Sequence, residues 1–79
     1  MLRPTANNVM VLDDYKLKIS FDNGEERIFN AADLFNRKAF KPLKNITLFK
    51  QVKPNGISIE WPPDIDVCPD ELYFKSVPL

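Results

Sequence analysis

The stretch NVMVLDDYKLKISFDNGEERIFNAADL, residues 8–34, decides the fold of this chain. Apolar residues occupy every second position from 15 to 21 and alternate with polar ones, which is the period of a strand with one buried face. Asp13-Asp14 precedes this strand and Asn23-Gly24 follows it, and both pairs are typical turn formers. The stretch therefore predicts a meander of three antiparallel strands joined by two tight turns.

The register of the meander follows if both turns contain two residues. The core side would then carry three facing pairs: Leu12 with Tyr15, Met10 with Leu17, and Ile19 with Ile28. The opposite side would carry the residues that we predict as a partner-binding set: Val9, Val11, Lys16, Lys18 and Phe29. Three of these five are apolar, so this side is not simply solvated. Other segments of the chain would cover it, an extra turn residue would shift the register, or a partner protein would bind there.

Short helices are predicted after the meander. Asn30 is a good N-cap for a helix that ends near Phe40, because Pro42 follows closely. Asn45 would cap a second helical turn, after a connector at residues 42–45. Pro69 is typical of the first position of a helix, so it would begin a final helical turn.

A second hairpin is predicted around Asn55-Gly56, which would place Val52 opposite Ile59. Ile57, Ile59 and Trp61 alternate with polar residues and would share a buried face. The expected fold class is therefore α+β: a small antiparallel sheet, made of the meander plus this hairpin, with two or three short helices. No linker or internal repeat occurs, so we expect a single domain over residues 1–79.

The composition indicates a small protein of a reducing compartment. The 79-residue chain contains one cysteine, Cys68, and it shows neither an apolar leader nor a long apolar run. We therefore expect a cytoplasmic location. A domain of this size is expected to be only modestly stable, which favours self-association.

The charges are segregated although the net charge is zero. Six cations without an acidic neighbour in sequence form a candidate nucleic-acid-binding segment: Arg37, Lys38, Lys41, Lys44, Lys50 and Lys53. Phe40 and Phe49 lie among them as candidate stacking groups. Residues 60–71 are acidic instead. The six cations are either such a site, ordinary solvated charge, or partners of the acidic segment.

The residues that common catalytic sites require are scarce. The chain has no histidine, and its two glycines both lie in predicted turns. Cys68 has no imidazole to activate it, so we expect a partly buried structural thiol. The acidic residues after Asp64 do not form a calcium loop, because Pro69 occupies the position that needs glycine. We therefore expect no enzyme, no metal, no cofactor and no small-molecule substrate.

Six segments in fixed order resemble a family of small bacterial proteins known as domain of unknown function 2442. They are VLDDYKLKISFDNGE (11–25), RIFNAADLF (27–35), FKPLKN (40–45), LFKQVK (48–53), IEWP (59–62) and DIDVCPDELY (64–73). The resemblance covers nearly the whole chain. The chain departs from the family pattern in its tail, at Pro63 and at Val67-Cys68.

The resemblance implies a small α+β fold with antiparallel strands and no established activity. Some relatives carry a helix-turn-helix DNA-binding domain after this module, and others look like one half of a toxin–antitoxin pair. We expect a stand-alone member without that extension.

The sequence thus predicts a protein-interaction module without catalytic activity. The expected partner is a small neighbour-encoded protein, as for an antitoxin-like or regulatory subunit, or a second copy of the chain. The alternative is a nucleic-acid-binding regulator that uses the basic segment from Arg37 to Lys53. We expect no membrane association.

Overall fold

A computed structural model describes residues 4–79, so the first three positions of the predicted domain lie outside the described residues. The strands are β1 (Ala6–Val11), β2 (Lys16–Phe21), β3 (Glu26–Asn30), β4 (Lys53–Pro54), β5 (Ile59–Trp61), β6 (Ile65–Asp66) and β7 (Val77–Pro78). Two 3-10 helices span Ala31–Leu34 and Lys38–Lys44, and two short α-helices are α1 (Ile46–Phe49) and α2 (Pro69–Lys75).

The strands form two antiparallel sheets. One has the order β1-β2-β3-β7 and the other has the order β4-β5-β6. The predicted meander is β1 to β3, and the predicted hairpin is β4 with β5. Each sheet gains one further strand of two residues, β7 and β6, that the sequence did not reveal. The prediction of a small antiparallel α+β fold is confirmed, although the meander and the hairpin lie in two sheets and not in one.

The first turn of the meander is one residue longer than predicted. Val11 pairs with Leu17, whereas a two-residue turn would have paired Met10 with Leu17. The backbone continues through Asp14 and Tyr15, and both have φ near +60°. The predicted register of β1 against β2 is therefore wrong by one residue.

The second turn is also longer than predicted. We expected a two-residue turn in which both Asn23 and Gly24 have positive φ, but only Gly24 does, at +88°. A three-residue loop that ends in such a residue is the next most common hairpin connection. Ile19 consequently pairs with Arg27, and not with Ile28.

These two shifts exchange the faces of β1 and β3, because neighbouring residues of a strand point to opposite sides. Phe29 is 2% exposed in the core, and Val9 and Val11 pack against that core. Their predicted position beside Lys16 and Lys18 is therefore wrong. We call the side of this sheet that carries Phe29 the inner face and the opposite side the outer face.

The core lies between the inner face, the second sheet and the helices. Its fully buried side chains include Leu17, Ile19, Phe29, Leu34, Leu43, Phe49, Ile59, Trp61, Val67 and Leu72. The Trp61 indole N–H donates to the Phe49 carbonyl at 2.8 Å, which satisfies the only polar atom of that buried side chain. This contact links the second sheet to α1.

The helix caps agree with the sequence prediction at three places. The Asn30 side chain accepts from the Ala32 N–H at 3.2 Å, and the Asn45 side chain accepts from the Thr47 N–H at 3.0 Å. Pro69 is the first residue of α2. The prediction of one helix from Asn30 to near Phe40 is wrong, because the helix that Asn30 caps ends at Leu34. A second 3-10 helix begins at Lys38 and continues through Pro42 into the predicted connector.

The second hairpin shows a further change of register. Pro54 pairs with Ile59, the position that we had expected Val52 to occupy. Ile57 lies in the turn and is 55% exposed, so it does not share the buried face of Ile59. The Asn55 side chain accepts from the backbone N–H groups of residues 57 and 58, and these bonds hold the turn.

No helix among residues 4–79 has the length and the apolar character needed to cross a membrane.

Candidate interaction surfaces

A row of four residues crosses the outer face of the four-stranded sheet. Met10 pairs with Lys18, Lys18 with Ile28, and Ile28 with Val77, so each strand contributes one residue. We call this set the outer row. Met10 is 54% exposed and Val77 is 57% exposed, while Lys18 and Ile28 are partly buried. Apolar surface at both ends of the row is thus open to solvent.

Mostly polar residues border the outer row. They are Lys16 and Asn30 on one side, where the apolar Leu12 lies opposite Lys16, and Asn8, Ser20 and Glu26 on the other. The Lys18 ammonium lies 3.9 Å from the Glu26 carboxylate, so the two charges on this part of the face are paired. The outer face therefore has an apolar strip with a polar border.

The predicted partner-binding set is divided between the two faces. Lys16 and Lys18 lie on the outer face, as predicted, whereas Val9, Val11 and Phe29 lie on the inner face. Their places on the outer face are taken by Met10 and Ile28, which a register shifted by one residue would have identified. No sequence pattern would have identified Val77, because its strand has only two residues.

The basic and acidic segments meet in the fold. The Arg37 guanidinium donates to both carboxylate oxygens of Glu71, which lies 34 positions later in the chain. The Lys53 ammonium lies 3.7 Å from the Glu60 carboxylate. The hydrogen bonds from Arg37 hold the pKa of the Glu71 carboxyl below its ordinary value, with Lys75 as a further contributor. Two of the six predicted nucleic-acid-binding cations are therefore engaged with carboxylates.

The other four cations of that segment are exposed. Lys38, Lys41, Lys44 and Lys50 form no ion pair with any residue from 4 to 79. The two candidate stacking groups are not available for bases, because Phe40 is 7% exposed and Phe49 is fully buried. This part of the nucleic-acid prediction is wrong, since both rings belong to the core.

A polar cluster that the sequence did not reveal ties the C-terminal part of the chain to the meander. Arg27 donates to the Ser76 hydroxyl at 2.7 Å, to the Ser76 carbonyl at 2.8 Å and to the Glu25 carboxylate at 3.0 Å. The Tyr73 hydroxyl donates to the same carboxylate at 2.5 Å. We call Glu25, Arg27, Tyr73 and Ser76 the C-terminal clamp, because it holds the end of α2 and β7 against β3.

The contacts within the clamp shift the pKa values of two of its residues, Glu25 and Tyr73. The hydrogen bond from Tyr73, followed by one from the Asn23 amide, lowers the pKa of the Glu25 carboxyl. The same carboxylate raises the pKa of the Tyr73 hydroxyl. The Arg27 guanidinium lies 4.5 Å above the Tyr73 ring, in a favourable cation–π position. Each group of the clamp thus has a structural partner.

The described residues form neither a cavity nor a group of three or more metal-ligating side chains. Cys68 is exposed at the N-cap of α2, which corrects the expectation of a partly buried thiol. Its carbonyl accepts from the Leu72 N–H at 2.9 Å, so the backbone of Cys68 takes part in starting the helix.

These features define a small α+β protein whose distinctive parts are exposed surfaces. The family model described as "Protein of unknown function (DUF2442)" matches residues 6–78. The chain belongs to this family. No curated protein and no solved structure matches it.

Proposed function

We propose that this protein is a non-catalytic interaction module that binds another protein through the outer face of its four-stranded sheet. One observation carries the proposal: the outer row has exposed apolar side chains at both ends, on the side of the sheet that faces away from the core. An antiparallel sheet with one solvated face normally alternates apolar and polar residues cleanly. Met10, Ile28 and Val77 depart from that pattern, which favours a surface that a partner covers.

The composition of the outer face suits a protein partner. Interfaces between proteins combine an apolar centre with a polar rim, and methionine is favoured in them because its side chain adapts to different contacts. Here Met10 and Ile28 lie inside a border of amides, a hydroxyl and charged groups. The partner in this proposal is a second copy of the chain or a small neighbour-encoded protein, as for an antitoxin-like subunit.

The test compares two double variants in binding assays. Met10→Glu with Val77→Thr changes both exposed ends of the outer row. Ile46→Glu with Ile57→Thr is the matched control, because these residues are 45% and 55% exposed outside the four-stranded sheet. Each variant and the unchanged protein serve as bait in a lysate of the native host, and light scattering measures their oligomeric state.

We expect the unchanged protein and the control to retain the same partner or the same dimer, and the outer-row variant to lose it. A protein that stays monomeric and recovers no partner would contradict the proposal. Equal binding by all three proteins would also contradict it, because the outer row would then contribute nothing. Thermal unfolding of each variant shows whether its fold is kept.

A further inference from the structure

The second 3-10 helix has a regular pattern of burial. Phe40 and Leu43 are buried and lie three residues apart, while Lys38, Lys41 and Lys44 are exposed and also lie three residues apart. Side chains at positions i and i+3 of a 3-10 helix are nearly in line, with a rise of ~2 Å per residue. The three lysines therefore form one column with a step of ~6 Å. We call these three residues the lysine column.

Contacts at both ends fix the backbone that carries the column. At its start, Arg37 is bound to Glu71 and lies 5.9 Å from the centre of the Phe40 ring. At its end, the Tyr15 hydroxyl donates to the carbonyl of Lys44 at 2.5 Å. These contacts fix the backbone that carries the column. The ammonium groups of the three lysines extend from it into solvent.

Half of the cations among residues 4–79 are paired with a carboxylate, whereas the column lysines, like the isolated Lys16 and Lys50, are not. Arg27, Lys18 and Lys53 each lie within 4 Å of a carboxylate, and so do Arg37 and Lys75. The three column lysines form no such pair with any described residue, so no ion pair offsets the repulsion among them. A ligand with regularly spaced negative charges would relieve that repulsion.

We propose that the lysine column binds the phosphate backbone of duplex DNA, without reading the sequence. A protein partner is less suitable, because lysine is depleted at protein interfaces and the aromatic ring of this helix, Phe40, is buried. A single strand is also less suitable, because binding to it relies on exposed aromatic side chains that stack on bases. Duplex DNA offers dense charge and needs only cations. This inference is independent of the proposed function and uses a different surface.

The test measures how the affinity for a labelled duplex depends on salt, by fluorescence anisotropy with the full chain. Three phosphate contacts predict a slope of about −2.7 in log K against log salt, which is about a 500-fold loss for a tenfold rise in salt. The variant Lys38→Gln/Lys41→Gln/Lys44→Gln should bring this slope close to zero. Lys41→Gln alone should reduce its size by about 0.9.

The control variant Lys75→Gln removes one exposed charge outside the basic segment, whereas Lys41→Gln removes one inside the column, and the control should keep the slope of the unchanged protein. No binding at the lowest salt would overturn the proposal. An equal loss in Lys75→Gln and Lys41→Gln would also overturn it, because net charge alone would then explain binding. Equal or tighter binding to single strands, to polyglutamate or to anionic vesicles would assign the column to another ligand.

Discussion

The two faces of the four-stranded sheet use similar residues with different results. The inner face carries Val9, Val11 and Phe29 against the core, and the outer face carries Met10 and Ile28 beside lysines. Both faces are partly apolar, so residue type alone does not decide which side is buried. The strand register decides which side chains are buried. One extra residue in each turn sets that register. A surface prediction for a small sheet is therefore only as good as its turn lengths.

Truncating one side chain on each face tests which face is buried. Phe29→Ala removes a side chain that is 2% exposed, and it should lower the free energy of unfolding by about 3–5 kcal/mol. That is comparable with the whole stability of many domains of this size. Met10→Ala on the outer face should change it by less than about 0.5 kcal/mol. Urea unfolding followed by circular dichroism measures both, and similar losses would show that the faces are assigned wrongly.

Tyr15 lies in the first turn of the meander and connects the inner face to the helices. The Tyr15 ring packs edge-on against Phe35 and Phe49, and its hydroxyl donates to the Lys44 carbonyl. Tyr15→Phe keeps the ring and removes the hydrogen bond, so it should cost about 1 kcal/mol of unfolding free energy.

Tyr73→Phe is a poor control for that change, because its hydroxyl belongs to the clamp. Asn36→Ala instead truncates an exposed polar residue near the 3-10 helices, and it should have little effect in the same urea experiment. An unchanged stability of the Tyr15→Phe variant would mean that the ring contacts alone hold this turn.

The smallest predicted effect is a pH dependence at the edge of the inner face. The pKa of Glu25 is lowered in the folded protein, so its ionised form stabilises the fold above the ordinary pKa of 4.5. This contribution is lost as the pH falls through the lowered value. Glu25→Gln should therefore make stability less steeply dependent on pH in that acidic range. Urea titrations at several pH values check this.

Asp64→Asn is the control, because it removes an exposed carboxylate whose side chain forms no hydrogen bond with a described residue. It should leave the acidic slope close to that of the unchanged protein. Identical slopes for Glu25→Gln and the unchanged protein would show that the clamp does not govern this part of the pH profile.

Local patterns in the sequence were enough for the meander, the second hairpin and the side-chain caps of two helices. The alternation in β2, the side-chain caps at Asn30 and Asn45, and the proline at the start of α2 all act over a few residues, so a linear reading finds them. The length of the first turn was not found, because Tyr15 adopts a left-handed conformation that its residue type disfavours. Its packing between two aromatic rings offsets that preference.

The parts of the candidate surfaces that sequence reasoning missed depend on distant contacts. Arg37 meets Glu71 across 34 positions, and Arg27 meets Ser76 across 49. β7 has too few residues for a periodic pattern, and Arg27 holds the residue just before it. No local rule links such residues, although the segregation of charge did raise pairing of the two segments as one alternative.

The three-residue period of the helix around Pro42 limits how its length can change in evolution. Inserting or deleting one residue there would turn the following part by about a third of a revolution, and a deletion would place Lys44 where Leu43 now packs. A change of three residues would keep every side chain on its side. Relatives of this protein should therefore differ in this segment by whole turns, or not at all.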